Sequence, residues 1–215
     1  MNRRQTQGGV SLVSLMVGLT LSMISVVAIM MAYKGVVHSG NAVVANTTRV
    51  SQGVSLAVST PRLLQQAGWG MGASATPVGA AANTDLVLLS SSTLNNTSLT
   101  GTAATIASAQ STGTALIWDT KITNVVKCWA LVSAGGGLSL LGPADCTAAS
   151  NWAQVTWGSR TDLAPPDSFT GLTFAVAKGN CWPYGGGPGV QPGVVVTLQA
   201  LGSAANTLCL SNVPN

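Results

Sequence analysis

An unbroken apolar run near the amino terminus constrains this chain more than any other feature. Residues 10–33 (VSLVSLMVGLTLSMISVVAIMMAY) are 24 residues without a charge. At about 1.5 Å of rise per residue, such a run makes a helix about 36 Å long, enough to cross the hydrocarbon core of a bilayer. A short polar leader with Arg3 and Arg4 precedes it, closed by Gly8 and Gly9. In an ordinary secretory signal the apolar core is shorter and a small-residue A-x-A site follows it. Here the glycine pair comes first, and no good A-x-A site closes the run. A cut between Gly9 and Val10 removes the basic leader and keeps the apolar helix on the mature chain.

This order resembles the class III signal of type IV pilins and of type II secretion pseudopilins. The family pattern is a basic leader, a glycine before the cut, an apolar first residue, a glutamate as fifth mature residue, and a helix rich in leucine and methionine. Gly9, Val10, Ser11, Leu12, Val13, Leu15, Met16 and Val17 fit that pattern, and Ser14 stands where the glutamate is expected. The chain has no glutamate at all; its acids are Asp85, Asp119, Asp145, Asp162 and Asp167. The resemblance implies cleavage after Gly9 by a prepilin peptidase and methylation of the Val10 amine. It implies a subunit held in the bacterial inner membrane, N-terminus cytoplasmic, which later packs among other pilin subunits on an inner-membrane assembly platform. Without the glycine pair, residues 10–33 would read as a plain single-span anchor.

Charge supports the orientation only modestly. Residues 1–84 carry Arg3, Arg4, Lys34, Arg49 and Arg62 with no acid, whereas residues 85–215 carry Lys121, Lys127, Arg160 and Lys178 against five aspartates. Arg3 and Arg4 favour a cytoplasmic N-terminus, but Lys34 lies on the far side of the run. No basic cluster interleaved with aromatics occurs in the C-terminal part, so nucleic-acid binding is not indicated. Only 7% of residues are charged and 47% are hydrophobic. With Val, Leu, Ile and Trp recurring, this suits a folded domain with a neutral, hydroxyl-rich surface rather than disorder.

Four cysteines, Cys128, Cys146, Cys181 and Cys209, all lie in the C-terminal half. Their even number behind a membrane-targeting segment favours two disulfides in an oxidising periplasm. Three pairings are open; Cys128–Cys146 with Cys181–Cys209 is the expected one, since each then closes a local loop of adjacent strands. No Cys-x-x-Cys occurs and the single histidine, His38, is far away in sequence, which argues against a metal site.

The helix is expected to run on past Tyr33. Val36, Val37, Val43, Val44, Val50, Val54, Ala57 and Val58 fall largely on one helical stripe, with polar residues opposite. Pro61 predicts a kink or restart, with Ser59 or Thr60 as cap. The segment 66–70 (QAGWG) reads as a glycine C-cap followed by a core tryptophan; it also resembles the helix end of larger minor pilins and minor pseudopilins. Strands are expected at 85–90, 115–118, 124–132, 138–141, 154–157, 172–177, 194–200 and 207–210, with 94–110 read as loop carrying one weak strand. Gly135, Gly136 and Gly137 mark a hairpin turn. The fold class is therefore α+β, a long N-terminal helix packed on an antiparallel sheet domain. Its parts are a leader (1–9), a transmembrane and polymerisation helix (10–33), an amphipathic half (34–67) and a periplasmic β-rich domain (68–215). In the loop 179–193, Trp182 and Tyr184 either touch a partner or fold back on the sheet.

No catalytic constellation is present. There is no Gly-x-Ser-x-Gly elbow and no phosphate loop. Asp162 and Asp167 flank Pro165 and Pro166 without the regular acidic spacing of a calcium loop. Neither an enzyme nor a cofactor is expected. The resemblance implies a minor pilin of a type IV pilus, acting in assembly or initiation, at the tip. The alternatives are a minor pseudopilin of a type II secretion system, and a membrane-anchored periplasmic binding protein or adhesin.

Overall fold

The computed structural model describes residues 11–72, 75, 77–78, 84–181, 192–201 and 205–215. The chain divides into two compact units, Met1–Thr48 and Arg49–Asn215. Helix α1 (Leu12–Leu64) supplies the first unit and the opening turns of the second.

In the first unit α1 is a membrane span by length and composition over Leu12–Asn41, and every side chain from 11 to 41 is exposed. Several of its hydroxyls bond to the helix's own backbone. Thr20 Oγ1 donates to the Val17 carbonyl at 2.9 Å, Ser22 Oγ to Gly18 at 2.8 Å, and Ser25 Oγ to Leu21 at 2.9 Å. Ser39 and Thr47 do the same to Gly35 and Val43. A polar group satisfied this way loses little on entering hydrocarbon, so serines and threonines do not break the span.

The second unit begins with the last turns of α1. Leu56, Thr60, Leu64 and Ala67 are buried at steps of four, four and three, which fixes the inward face. This differs from the expected valine stripe. Val58 is 55% exposed in this unit, and Val36, Val37, Val43 and Val44 are exposed in the first; the side chains of Val50, Val54 and Ala57 lie outside the described residues. Pro61 does not end the helix, which continues through it to Leu64. The Pro61 carbonyl still accepts from the Gln65 N–H at 2.9 Å. Three residues short of the end, the missing proline N–H is a minor loss that packing offsets.

Among the described residues ten strands follow: β1 (Leu86–Asn95), β2 (Ser98–Ala104), β3 (Ser111–Gly113), β4 (Ala115–Ile122), β5 (Val125–Ala134), β6 (Gly137–Asp145), β7 (Arg160–Ala164), β8 (Thr170–Asn180), β9 (Pro192–Leu201) and β10 (Asn206–Leu210). They form a six-stranded sheet, β2-β1-β4-β5-β6-β7, and a four-stranded sheet, β10-β9-β8-β3, with every described pairing antiparallel. The chain is α+β, as its hydrophobic patterning implies.

Both faces of the larger sheet are covered. Leu86, Leu88, Leu116, Trp118, Leu131 and Leu138 face a core shared with Leu56 and Leu64 of α1 and with Phe174, Val176, Val194 and Val196 of the smaller sheet. The alternate residues Val87, Leu89, Ala115, Ile117, Ala130 and Val132 face a second core, closed by Ala149 and Trp157. Two-sided burial explains why 86–89 and 115–118 read as continuous apolar runs rather than alternating ones. The tight turns obey backbone chemistry. Thr123 and Asn124 (φ 51 and 62) and Gly135 and Gly136 (φ 56 and 72) each make a two-residue turn with both residues left-handed.

One expectation for the sheet is corrected and another is made definite. Residues 154–157 are not a strand: Ala149–Gln154 is a short 3-10 segment, and β7 starts only at Arg160. The apolar residues there cover the second core from a loop. Residues 98–104, inside the stretch expected as loop with one weak strand, are strand β2, which pairs with β1 across the turn Asn96–Thr97. Only Leu99 of β2 is buried, so the segment lacks an apolar pattern.

Candidate functional site

Gly9 and Val10, the expected cleavage and methylation positions, lie outside the described residues, as do Trp182 and Tyr184. Ser14 lies in the first turn of α1, exposed, with its N–H donating to the Ser11 carbonyl at 2.9 Å. The carbonyl one turn before Ser14 belongs to Val10. From Leu12 to Tyr33 the helix presents Leu, Val, Ile, Met and Tyr side chains that are half or more exposed. Each such side chain gains about 1.5–3 kcal/mol on full removal from water. This surface therefore demands lipid or other helices around it, and it is the dominant functional feature of the chain.

The helix exit is built by glycines. Gly68 has φ +72, and its N–H donates to the Asp119 carbonyl at 2.9 Å; Gly70 has φ +78. A Cβ on Gly68 would collide with the Asn212 carbonyl, and one on Gly70 with the Lys121 carbonyl. The Lys121 N–H donates to the Trp69 carbonyl at 2.8 Å, so 68–70 runs beside the end of β4. Gly68 is not the helix C-cap that was expected: α1 ends at Leu64, and the Gly68 N–H bonds to β4 rather than back to a helix carbonyl. Trp69 is not a core residue: it is 61% exposed, because its neighbours are held by backbone bonds and its ring has no core to enter. Trp118 and Trp157 are buried.

Both disulfides join the expected partners. Cys128 on β5 bonds to Cys146 just past β6, with Cα atoms 5.8 Å apart; Cys181 past β8 bonds to Cys209 on β10, with Cα atoms 5.4 Å apart. The four thiols are thus consumed and unavailable to a metal. Among the described residues no three His, Cys or Asp side chains gather as a metal group. Asp162 accepts from Ser139 Oγ and from Arg160 Nε, each at 2.7 Å. These two bonds, the serine's first, hold its carboxyl below the usual range. It forms a surface ion pair with Arg160. His38 is exposed on α1.

One acidic pair was not legible in the sequence. Leu86 pairs with Trp118, so Asp85 and Asp119 stand opposite each other one step further along, and the Asp119 N–H donates to the Asp85 carbonyl at 3.2 Å. Both residues are essentially inaccessible, at 1% and 0% exposure. Asp119 Oδ2 accepts from the Ala149 N–H at 2.9 Å, while Oδ1 has no partner. Burial first, and the Asp85 carboxylate second, push Asp119 from 3.8 up to about 7. The apolar runs hinted at one face for each aspartate, but only the strand register puts the two together.

In comparisons with known proteins, no family model, no curated protein and no solved structure matches this chain.

Proposed function

We propose that this chain is a minor pilin of a type IV pilus, processed by a prepilin peptidase and assembled with other pilin subunits from the inner membrane. The observation that carries the reading is the order of residues 3–17: basic leader, glycine pair, then the apolar helix with no closing A-x-A site. The exposed apolar surface of α1 supports it, because a helix that must leave lipid needs other apolar helices to receive it. The disulfide-bonded second unit suits a periplasmic or extracellular location. The Ser/Thr back-bonds let the same helix sit in either environment.

Processing is tested by mass spectrometry of the protein purified from its membrane. The expected N-terminus is Val10, methylated, and Gly9→Val is expected to leave the full leader attached by crowding the scissile bond. An intact leader in the unmodified protein, or a start beyond residue 33, overturns the pilin reading.

Ser14 supports a particular place for the subunit in a fibre. In the family, the fifth-residue carboxylate is thought to offset a neighbour's N-terminal amine in a low-dielectric core, where an unpaired charge is costly. A subunit with serine there fits a place where that pairing is not required, such as the tip. Ser14→Glu is therefore expected to leave pilus number unchanged or mildly reduced, and immunogold label on this subunit should fall at fibre ends at low copy. Label spread evenly along fibres at the copy number of the major subunit defeats the tip placement. Normal fibres in a deletion strain favour the secretion-system or anchored-binding reading instead.

A further inference from the structure

We propose that the free edge of β2 is a self-association site, where two copies of this chain pair β2 to β2 in an antiparallel ladder. Exposed strand edges are normally blunted by charge, proline or shortness. Three of the four sheet edges here are. β7 carries Arg160 and Asp162 and runs into Pro165 and Pro166; β3 has three residues; β10 has five and is stapled through Cys209. β2 is the exception: it is seven residues long, lies at the end of the six-stranded sheet, and has neither charge nor proline.

The register of β2 defines what it offers. Asn95 and Ser98 flank a two-residue turn, so 95–98, 93–100 and 91–102 are the hydrogen-bonded pairs, and the backbone groups of Leu99 and Gly101 point away from β1. No described backbone outside β1 bonds to these two residues. A second β2 running antiparallel, with Thr100 opposite Thr100, lets Leu99 of each copy exchange both bonds with Gly101 of the other. Outward side chains Ser98, Thr100 and Thr102 are exposed, and Thr100 already meets Thr93 hydroxyl to hydroxyl at 2.6 Å. The threonine ladder would simply continue across the pair.

Charge selects a second copy as the occupant. A homotypic two-fold contact sets every residue against itself or a near neighbour, so any charge on the strand would repel its own image. No charged residue occurs from 86 to 118, on β2 or on any strand beside it before Asp119. One strand pair is small against the about 1,600 Å² of a standard interface. Two copies anchored in one membrane by α1 meet at a high effective concentration, which makes a contact of this size sufficient there.

The test uses the full chain in membranes. Thr100→Cys is oxidised with copper-phenanthroline and run without reductant; the expected product is a reducible dimer of twice the mass. Thr161→Cys on β7, equally exposed, is expected to stay monomeric. Differently tagged copies are then co-purified from detergent extracts. Thr100→Lys alone and Thr100→Glu alone should each lower recovery about fivefold, while the Lys and Glu forms expressed together should restore it. Far-UV circular dichroism of each variant should match the unsubstituted protein. Absence of the Thr100→Cys dimer, equal dimer from Thr161→Cys, an adduct of some other mass, or no rescue by the mixed charges overturns the proposal.

Discussion

Asp119→Asn is expected to stabilise the protein by up to about 4 kcal/mol above about pH 8, and by nothing below about pH 4. The direction follows from which state holds the proton. Asp119 titrates near 7 when folded, against 3.8 for an ordinary aspartate. Between those values the folded protein keeps a proton that the unfolded chain has released, so stability falls as pH rises through the window. Above it the full cost of holding a buried carboxylate beside Asp85 is present. Asparagine removes the charge and keeps an oxygen for the Ala149 N–H, now held at 2.9 Å. The measurement is urea unfolding of the full chain in detergent micelles, followed by tryptophan fluorescence, since buried Trp118 adjoins Asp119. The unsubstituted protein should be more stable at pH 5 than at pH 8, and the variant should flatten that slope. Equal loss of stability in the variant at both pH values would show that the carboxyl is already ionised and satisfied.

This pair also marks the limit of what the sequence could reveal. The helix, the Gly135–Gly136 turn and most strands were legible, because each is written locally, in a charge-free run, a glycine pair, or a stretch of β-branched and apolar residues. Strand β2 was legible only as one weak strand somewhere in 94–110, because its outer face is bare and its inner face buries only Leu99; its pattern of Ser, Thr and Gly fixes no bounds until β1 is laid beside it. Strand β7 was misplaced for the opposite reason. Trp157 is buried, but from a loop over the second core, so apolar character there signalled a cover rather than a ladder. Near the end of α1 the buried residues are Leu56, Thr60 and Leu64, while Val58 of the expected stripe is exposed, since an apolar stripe in sequence does not by itself say which side meets protein. The Asp85–Asp119 contact was the least legible, because it exists only once two strands are in register.

Cys128→Ala with Cys146→Ala is expected to cost about 3 kcal/mol, read as a midpoint lower by about 6–12 °C. The bond spans a sequence separation of 18, and closing a loop of that length in the unfolded chain accounts for about 3 kcal/mol on loop entropy alone. Native packing decides whether the loss is larger. Cys128 is fully buried among Val87, Ile117 and Ala130, and pairs with Ala144 beside the open end of the β5–β6 hairpin. Alanine at both positions empties part of that core, which adds to the loss. The hairpin itself should survive, since its turn is set by Gly135 and Gly136 and its ladder runs from Ala134–Gly137 to Lys127–Asp145. The expected result is therefore a folded but weakened protein, with near-UV circular dichroism retained at 20 °C and cooperative unfolding at lower denaturant. Reducing the unsubstituted protein with dithiothreitol under partly denaturing conditions should lower its stability at least as far, because Cys181–Cys209 opens too. A double variant as stable as the parent would mean that the ladder alone already restricts the unfolded chain. Complete unfolding would instead mean that the second core, rather than loop closure, depends on the sulfur atoms, because a 3 kcal/mol loss leaves an ordinary domain of this size folded.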